Sequence, residues 1–102
     1  MGKFVKVAEK KNLSSGQGTL VDVEGRKIAL FNIDNEFYAI DDECTHASGP
    51  LSEGSVEGTV VTCPWHGATF DVTTGEVLGA PAFDGVKKYN VQVEGNDIKI
   101  EI

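Results

Sequence analysis

The only two cysteines and the only two histidines of this chain lie in two short pairs. Cys44-Thr45-His46 is followed, after sixteen residues, by Cys63-Pro64-Trp65-His66, so each pair offers one thiolate and one imidazole. Thiolate and imidazole are preferred ligands of borderline and soft transition metals. The pattern therefore predicts a metal centre with Cys44, His46, Cys63 and His66 as its candidate ligands.

Three kinds of site fit these four residues. A disulfide between Cys44 and Cys63 leaves the paired histidines unexplained, and a chain without a signal-peptide pattern is expected to stay where thiols are reduced. A structural zinc site is the second, although zinc fingers usually place both cysteines in one pair and both histidines in the other. The third is a [2Fe–2S] centre in which one iron takes two cysteines and the other takes two histidines.

The two pairs resemble those of Rieske-type [2Fe–2S] ferredoxins, above all the ferredoxin components of bacterial aromatic-ring-hydroxylating dioxygenases. The resemblance continues through further short motifs over most of the chain: Leu51-Ser52-Glu53-Gly54, Ala68-Thr69-Phe70-Asp71, Thr74-Gly75 and Pro81-Ala82. It implies one Rieske-type [2Fe–2S] cluster bound by Cys44, His46, Cys63 and His66. It also implies that the two loops lie at one end of a small β-structure, with the histidine edges facing solvent.

The residues around the ligands differ from those of the Rieske proteins of respiratory complexes, which the chain also resembles in its ligands. Those proteins carry an extra cysteine in each loop, where this chain has Gly49 and Trp65, so no bracing disulfide is expected. They carry a serine and a tyrosine where this chain has Ala68 and Phe70, whose side chains donate no hydrogen bond. Donors to sulfur stabilise the reduced cluster, so we expect a potential near the lower end of the Rieske range of about −150 to +300 mV.

The segments before, between and after these residues are predicted to form β-strands. Period-2 alternation marks half-buried antiparallel strands at Val5 and Val7, at Tyr89 to Val93 and at Ile98 to Ile102. Further strands are predicted at Thr19 to Val23, Lys27 to Ile33, Glu36 to Ile40 and Thr59 to Thr62, separated by turns at Glu24-Gly25, Asp34-Asn35, Thr74-Gly75 and Glu94-Gly95-Asn96. Ala8 to Leu13 has room for one helical turn. The prediction is an all-β fold, a small antiparallel sandwich or barrel of short strands.

Two segments do not follow the strand pattern, and both carry ligands. They are residues 41–58 and 63–82, which we interpret as cluster-binding loops within a single domain spanning residues 1–102. Leu51 and Pro81 are candidates to cover the cluster. Trp65, between two ligands, is assigned to shielding or packing in preference to docking.

The net charge of −7 is unevenly spread. Ten acids and no lysine or arginine lie between Ile28 and Val86, whereas the flanking segments hold six acids and nine bases. This distribution argues against nucleic acid, whose phosphates require a basic surface. Acids beside the cluster would steer a basic partner towards it, and Asp41-Asp42-Glu43 is the strongest candidate, with a solvated turn as the alternative. Lys87 and Lys88 are assigned no role.

We expect a one-electron carrier and not an enzyme. The resemblance implies that it takes electrons from a flavin-containing NAD(P)H reductase and delivers them to a terminal ring-hydroxylating oxygenase, docking transiently with both. No apolar run is long enough to cross a membrane, so a soluble, cytoplasmic monomer is expected. The alternatives are a Rieske small subunit of another oxidoreductase, such as nitrite reductase, and a zinc-stabilised interaction module.

Overall fold

The structure is a computed structural model that describes residues 3–42, 50–64, 67–79 and 85–102. Its described part is built from β-strands and two single 3-10 turns, without an α-helix. The strands are β1 (Phe4–Glu9), β2 (Gln17–Val23), β3 (Arg26–Ile33), β4 (Glu36–Asp41), β5 (Ser55–Glu57), β6 (Val60–Thr62), β7 (Thr69–Asp71), β8 (Val77–Gly79), β9 (Lys88–Tyr89), β10 (Val91–Glu94) and β11 (Asp97–Glu101). The predicted all-β class is confirmed, and every strand pair is antiparallel.

Three sheets carry these strands. The terminal sheet has the order β1-β11-β10, the middle sheet β2-β3-β4-β9 and the outer sheet β5-β6-β7-β8. The strands predicted at Val5 and Val7 and at Ile98 to Ile102 are β1 and β11, which pair in the terminal sheet. The helical turn expected between Ala8 and Leu13 is the 3-10 turn Lys10–Asn12.

One strand of the middle sheet, β3, is buried on both faces over its central residues, Ile28 to Asn32. Ile28 and Leu30 of β3 lie in a core shared with the terminal sheet, whereas Ala29 and Phe31 lie in a core shared with the outer sheet. Because successive strand residues point to opposite faces, a central strand between two cores must be apolar at consecutive positions. The run Ile28 to Phe31, fully buried, is that strand.

Tight hairpin turns fix the register of the middle sheet. Glu24 and Gly25 connect β2 to β3 with φ of 52° and 86°, and Asp34 and Asn35 connect β3 to β4 with φ of 52° and 68°. Two central residues with positive φ are the requirement of the type I′ hairpin, which glycine, asparagine and aspartate tolerate best. Both predicted turns are therefore confirmed.

The outer sheet corrects the prediction that residues 41–58 and 63–82 are loops throughout. Strand β5 lies in the first segment, and β7 and β8 lie in the second. Each has only three residues, too few for a period-2 pattern to stand out from the surrounding turn residues. In the part of the chain that the structure describes, no helix has the length and apolarity needed to cross a membrane.

Candidate metal centre

Of the two segments that carry candidate ligands, the first is residues 41–58 and the second is residues 63–82. The second ligand segment begins with a tight loop between β6 and β7. The Cys63 amide donates to the Ala68 carbonyl at 2.7 Å, and the Gly67 amide donates back to the Cys63 carbonyl at 3.1 Å. Gly67 has φ of +78°, which a side chain would strain. Cys63 is a free cysteine and only 1% exposed, so the loop holds this candidate ligand at its base. His66 and Trp65 lie outside the described residues.

The first ligand segment is closed at its base by Asp42. Residues 43–49, which include Cys44 and His46, lie outside the described part, but both flanks are described. The Leu51 amide donates to the Asp42 carbonyl at 2.6 Å, and the Ser52 amide donates to Asp42 Oδ1 at 2.8 Å. The chain therefore leaves the middle sheet at Asp42 and returns to the same point eight residues later at Pro50 and Leu51.

Both ligand segments adjoin the same end of the outer sheet. Ser55, Thr62, Thr69 and Gly79 are paired in one row across β5, β6, β7 and β8. The loop with Cys63 lies immediately beyond this row, between Thr62 and Thr69. Residues 80–84 also follow it, and the first segment reaches it through the 3-10 turn Leu51–Glu53. We call this row the ligand end of the outer sheet.

Close backbone approach at Gly54 fixes the first segment against the second. A Cβ at Gly54 would collide with the Thr62 carbonyl oxygen and lie 2.9 Å from Val61 Cγ2. Leu51 and Cys63 belong to the same hydrophobic core, and each is at most 1% exposed. The described anchors of the two segments are thus in direct packing contact, as a centre with ligands from both requires.

Ala68 and Phe70 line the same core as Cys63. Both side chains are fully buried, and neither offers a donor to a sulfur atom. Among the described side chains, every buried nitrogen or oxygen atom has a hydrogen-bond partner. Ala68 and Phe70 therefore contribute apolar side chains to the core that contains Cys63.

Leu51 is fully buried in the core that contains Cys63, and its role in covering the cluster stays a prediction. One assignment from the sequence needs correction. Asp41 and Asp42 are not free acids for steering a partner: Asp42 is 3% exposed and closes the loop, and Asp41 Oδ1 accepts a hydrogen bond from the Tyr89 hydroxyl at 2.6 Å. Burial, followed by the hydrogen bond to Asp41, raises the pKa of Tyr89.

Several other predicted residues lie outside the described part of the chain: Glu43, Gly49, Pro81 and the candidate ligands Cys44, His46 and His66. Glu53, the one exposed residue of the 3-10 turn Leu51–Glu53, replaces Asp41 and Asp42 as the described candidate for steering. Sequence reasoning missed the roles of Asp42 and Gly54, because a loop clamp and a close backbone approach leave no local pattern.

The charges of the described residues separate as the sequence predicted. All five ion pairs use acids from the two ends of the chain, Glu9, Glu24, Glu94 and Asp97. No described acid between Asp34 and Glu76 has a described basic group within ion-pair distance. The exposed acids there, such as Glu53 and Glu57, remain available to a partner. Within the same described ranges, no three potential metal ligands form a competing site.

Sequence comparison shows which known proteins this chain resembles. The sequence model of the Rieske [2Fe-2S] domain matches residues 3–90. The ferredoxin component of the naphthalene 1,2-dioxygenase system of Pseudomonas aeruginosa is 36% identical over 100 residues, covering 98% of this chain and 96% of the relative. The 3-phenylpropionate/cinnamic acid dioxygenase ferredoxin subunit of Shigella flexneri is 49% identical over 76 residues, covering 74% and 72%.

Solved structures give the same result. The ferredoxin of carbazole 1,9a-dioxygenase from Nocardioides aromaticivorans superposes with a TM-score of 0.93 at 32% identity, covering 96% of both chains. A ferredoxin chain from a complex of reduced oxygenase and oxidized ferredoxin in carbazole 1,9a-dioxygenase gives 0.90 at 31%, covering 95% and 91%. A putative small subunit of an NADPH nitrite reductase gives 0.83 at 26%, covering 96% and 97%.

This chain belongs to the Rieske [2Fe–2S] domain family. The predicted resemblance to the ferredoxin components of aromatic dioxygenases is confirmed, and with it an electron carrier rather than an enzyme and one Rieske-type [2Fe–2S] cluster as cofactor. The zinc and disulfide interpretations have no support in these comparisons. The buried free thiol of Cys63, in a tight loop at the ligand end, suits a cluster that needs thiolate ligands.

Proposed function

We propose that Cys44, His46, Cys63 and His66 hold the cluster, and that the chain carries single electrons from a flavin-containing NAD(P)H reductase to a terminal ring-hydroxylating oxygenase. The bound cluster supplies a site that gains and loses one electron. The protein supplies the ligands, the apolar packing around Cys63 and the surface that partners recognise. The chain acts as a soluble cytoplasmic monomer whose contacts with both partners are transient.

The observation that carries this proposal is the shared position of the two ligand segments. The loop that starts at Cys63 lies directly beyond the ligand end, and the 3-10 turn that follows residues 43–49 packs against the same end through Gly54. Ligands from two such segments converge on one centre without any rearrangement of the sheets. A centre at the tip of the fold is accessible to a partner, which electron exchange between proteins requires.

The oxygenase as acceptor is supported by the relatives. One structural neighbour is the ferredoxin in a complex with the oxygenase of carbazole 1,9a-dioxygenase, and the similar chains from Pseudomonas and Shigella are dioxygenase ferredoxins by name. The exposed, unpaired acids of the described central region favour a partner with a basic docking surface. Ion pairing across such a surface raises the association rate more than the affinity.

The potential is proposed to be low for a Rieske centre. With two thiolates and two neutral imidazoles the oxidised cluster is formally neutral, and reduction adds one negative charge. Ala68 and Phe70 donate no hydrogen bond that would stabilise this charge, and the surrounding acids oppose it. Protein-film voltammetry tests this directly, and a potential above zero contradicts it.

Reconstitution tests the function. The purified ferredoxin is combined with a dioxygenase reductase, an oxygenase and its aromatic substrate, and NAD(P)H consumption is compared with product formation. We expect coupled turnover that depends on the ferredoxin. The matched control is Cys63→Ser, which removes one soft ligand and should abolish coupling. Absence of electron transfer to any dioxygenase oxygenase contradicts the proposal.

The nitrite reductase small subunit is the second candidate, because one such protein shares the fold with a TM-score of 0.83. Its identity of 26% is lower than that of the dioxygenase ferredoxins, and its name does not state a cluster. Affinity purification separates the two functions. A bound subunit co-purifies with one large enzyme in fixed ratio, whereas a transient carrier elutes alone.

A further inference from the structure

Asp42 is the only charged side chain that is buried among the described residues. Its exposure is 3%, whereas the other buried polar side chains, Asn32 and Ser52, are uncharged. Burying a carboxylate is costly unless hydrogen bonds replace the lost water. The Ser52 amide supplies such a bond at 2.8 Å in a buried position. A buried charge with a specific backbone partner indicates a role for which an apolar residue would not serve.

Three hydrogen bonds meet at Asp42, and together they close the first ligand segment. The Asp42 amide donates to the Lys27 carbonyl at 3.1 Å, which extends the pairing of β4 with β3 by one residue. The Asp42 carbonyl accepts from Leu51, and its carboxylate accepts from Ser52. One residue therefore ties the start of the segment both to the middle sheet and to the segment's own end.

Neighbouring Asp41 differs in the face that it occupies. Asp41 pairs with Ile28 across the sheet and bonds Tyr89, and both of these partners belong to the core shared with the terminal sheet. Asp42 points instead to Ser52, next to Leu51 in the core that contains Cys63. The two adjacent carboxylates thus lie on opposite faces, and only Asp42 lies on the face of the core that contains Cys63.

We propose that Asp42 is a positioning residue for the cluster: its carboxylate clamps the base of the segment that carries Cys44 and His46, and its buried charge disfavours reduction. This inference rests on the proposed ligand assignment. The hydrogen bonds that Leu51 and Ser52 donate to Asp42 join the end of this segment to its start. The hydrogen bond and the charge can be tested separately, because Asp42→Asn keeps an acceptor oxygen for the Ser52 amide and removes the negative charge.

The test compares Asp42→Asn, Asp42→Ala and the control Asp41→Asn in the cluster-loaded protein. Hydrogen exchange of the Ser52 amide reports on the clamp, and film voltammetry reports on the charge. We expect Asp42→Ala to speed exchange at Ser52 about 10- to 100-fold, as loss of a hydrogen bond to a charged group implies. Asp42→Asn should change it by less than about tenfold. Both Asp42 variants should shift the potential upwards, and Asp41→Asn should shift it less.

Two results overturn the inference. Unchanged exchange at Ser52 in Asp42→Ala shows that the carboxylate is not a clamp. An unshifted potential in Asp42→Asn, or an equal shift in Asp41→Asn, removes the specific role of the charge. If Asp42→Ala does not fold, Asp42→Asn still tests the charge. Failure of the proposed ligand set appears separately, as wild-type protein without a cluster, while exchange at Ser52 can still be measured on that folded chain.

Discussion

The side chains of Ala68 and Phe70, buried in the core that contains Cys63, donate no hydrogen bond, so we expect a hydroxyl group at either position to change the reduction potential. Ala68→Ser and Phe70→Tyr each add a hydroxyl to the core that contains Cys63, at positions with no solvent exposure. A hydroxyl that donates to a cluster or ligand sulfur stabilises the reduced form, which carries the extra negative charge. Both substitutions should therefore raise the potential.

The expected size follows from the energy of one hydrogen bond. A net stabilisation of about 1 to 1.5 kcal/mol in the reduced state corresponds to a rise of about 40 to 60 mV for a one-electron couple. A buried hydroxyl without an acceptor instead costs about 1 to 3 kcal/mol of folding free energy. A raised potential should thus accompany near-wild-type stability, because the same hydrogen bond offsets the cost of burial.

Protein-film voltammetry and chemical unfolding of the same cluster-loaded samples give the two quantities. Val72→Thr is the matched control, because it adds a hydroxyl to the same core two residues after Phe70. It should lower stability and leave the potential unchanged. An unchanged or lower potential in both Ala68→Ser and Phe70→Tyr would refute the reasoning from hydrogen bonds to sulfur.

Three further outcomes are expected. Gly54→Ala should lower the free energy of unfolding by about 1–3 kcal/mol and speed iron loss, because its Cβ collides with the Thr62 carbonyl; a wild-type unfolding midpoint would contradict this. Glu53→Gln should slow electron transfer to the oxygenase about two- to fivefold at low salt and leave it unchanged at high salt, whereas equal rates at every salt concentration would exclude steering by this acid. In the unfolded chain the Tyr89 phenol ionises near pH 10, whereas its raised pKa keeps it protonated in the folded chain. The free energy of unfolding should therefore fall as the pH rises above about 10. Urea titrations should show a smaller fall for Tyr89→Phe.

Strand positions could be predicted where the pattern is long. The alternation at Ile98 to Ile102 and the turn at Asp34-Asn35 identified β11 and the β3–β4 hairpin within one or two residues. The pattern failed at the three-residue strands β5, β7 and β8, where glycine and turn residues on either side hide the period. It also missed that β3 separates two cores, because a strand buried on both faces does not alternate.

The candidate ligands could be found from the sequence, because the chain has no other cysteine or histidine. The supporting residues could not. Asp42 looks like one of three surface acids, and only the hydrogen bond from the buried Ser52 amide separates it from Asp41. Gly54 looks like an ordinary loop glycine until its distance to the carbonyl of Thr62 is known. Contacts between distant segments decide both roles.

We propose above that one [2Fe–2S] cluster is bound by two cysteines, Cys44 and Cys63, and two histidines, His46 and His66. Pulsed EPR of the anaerobically purified, dithionite-reduced protein tests it most directly, with iron, sulfide and zinc analysis of the same sample. We expect two irons and two sulfides per chain and an EPR signal coupled to two histidine nitrogens, whereas His46→Cys or His66→Cys should leave coupling to only one nitrogen. A colourless, EPR-silent protein with one zinc ion, or a cluster signal without nitrogen coupling, would contradict it.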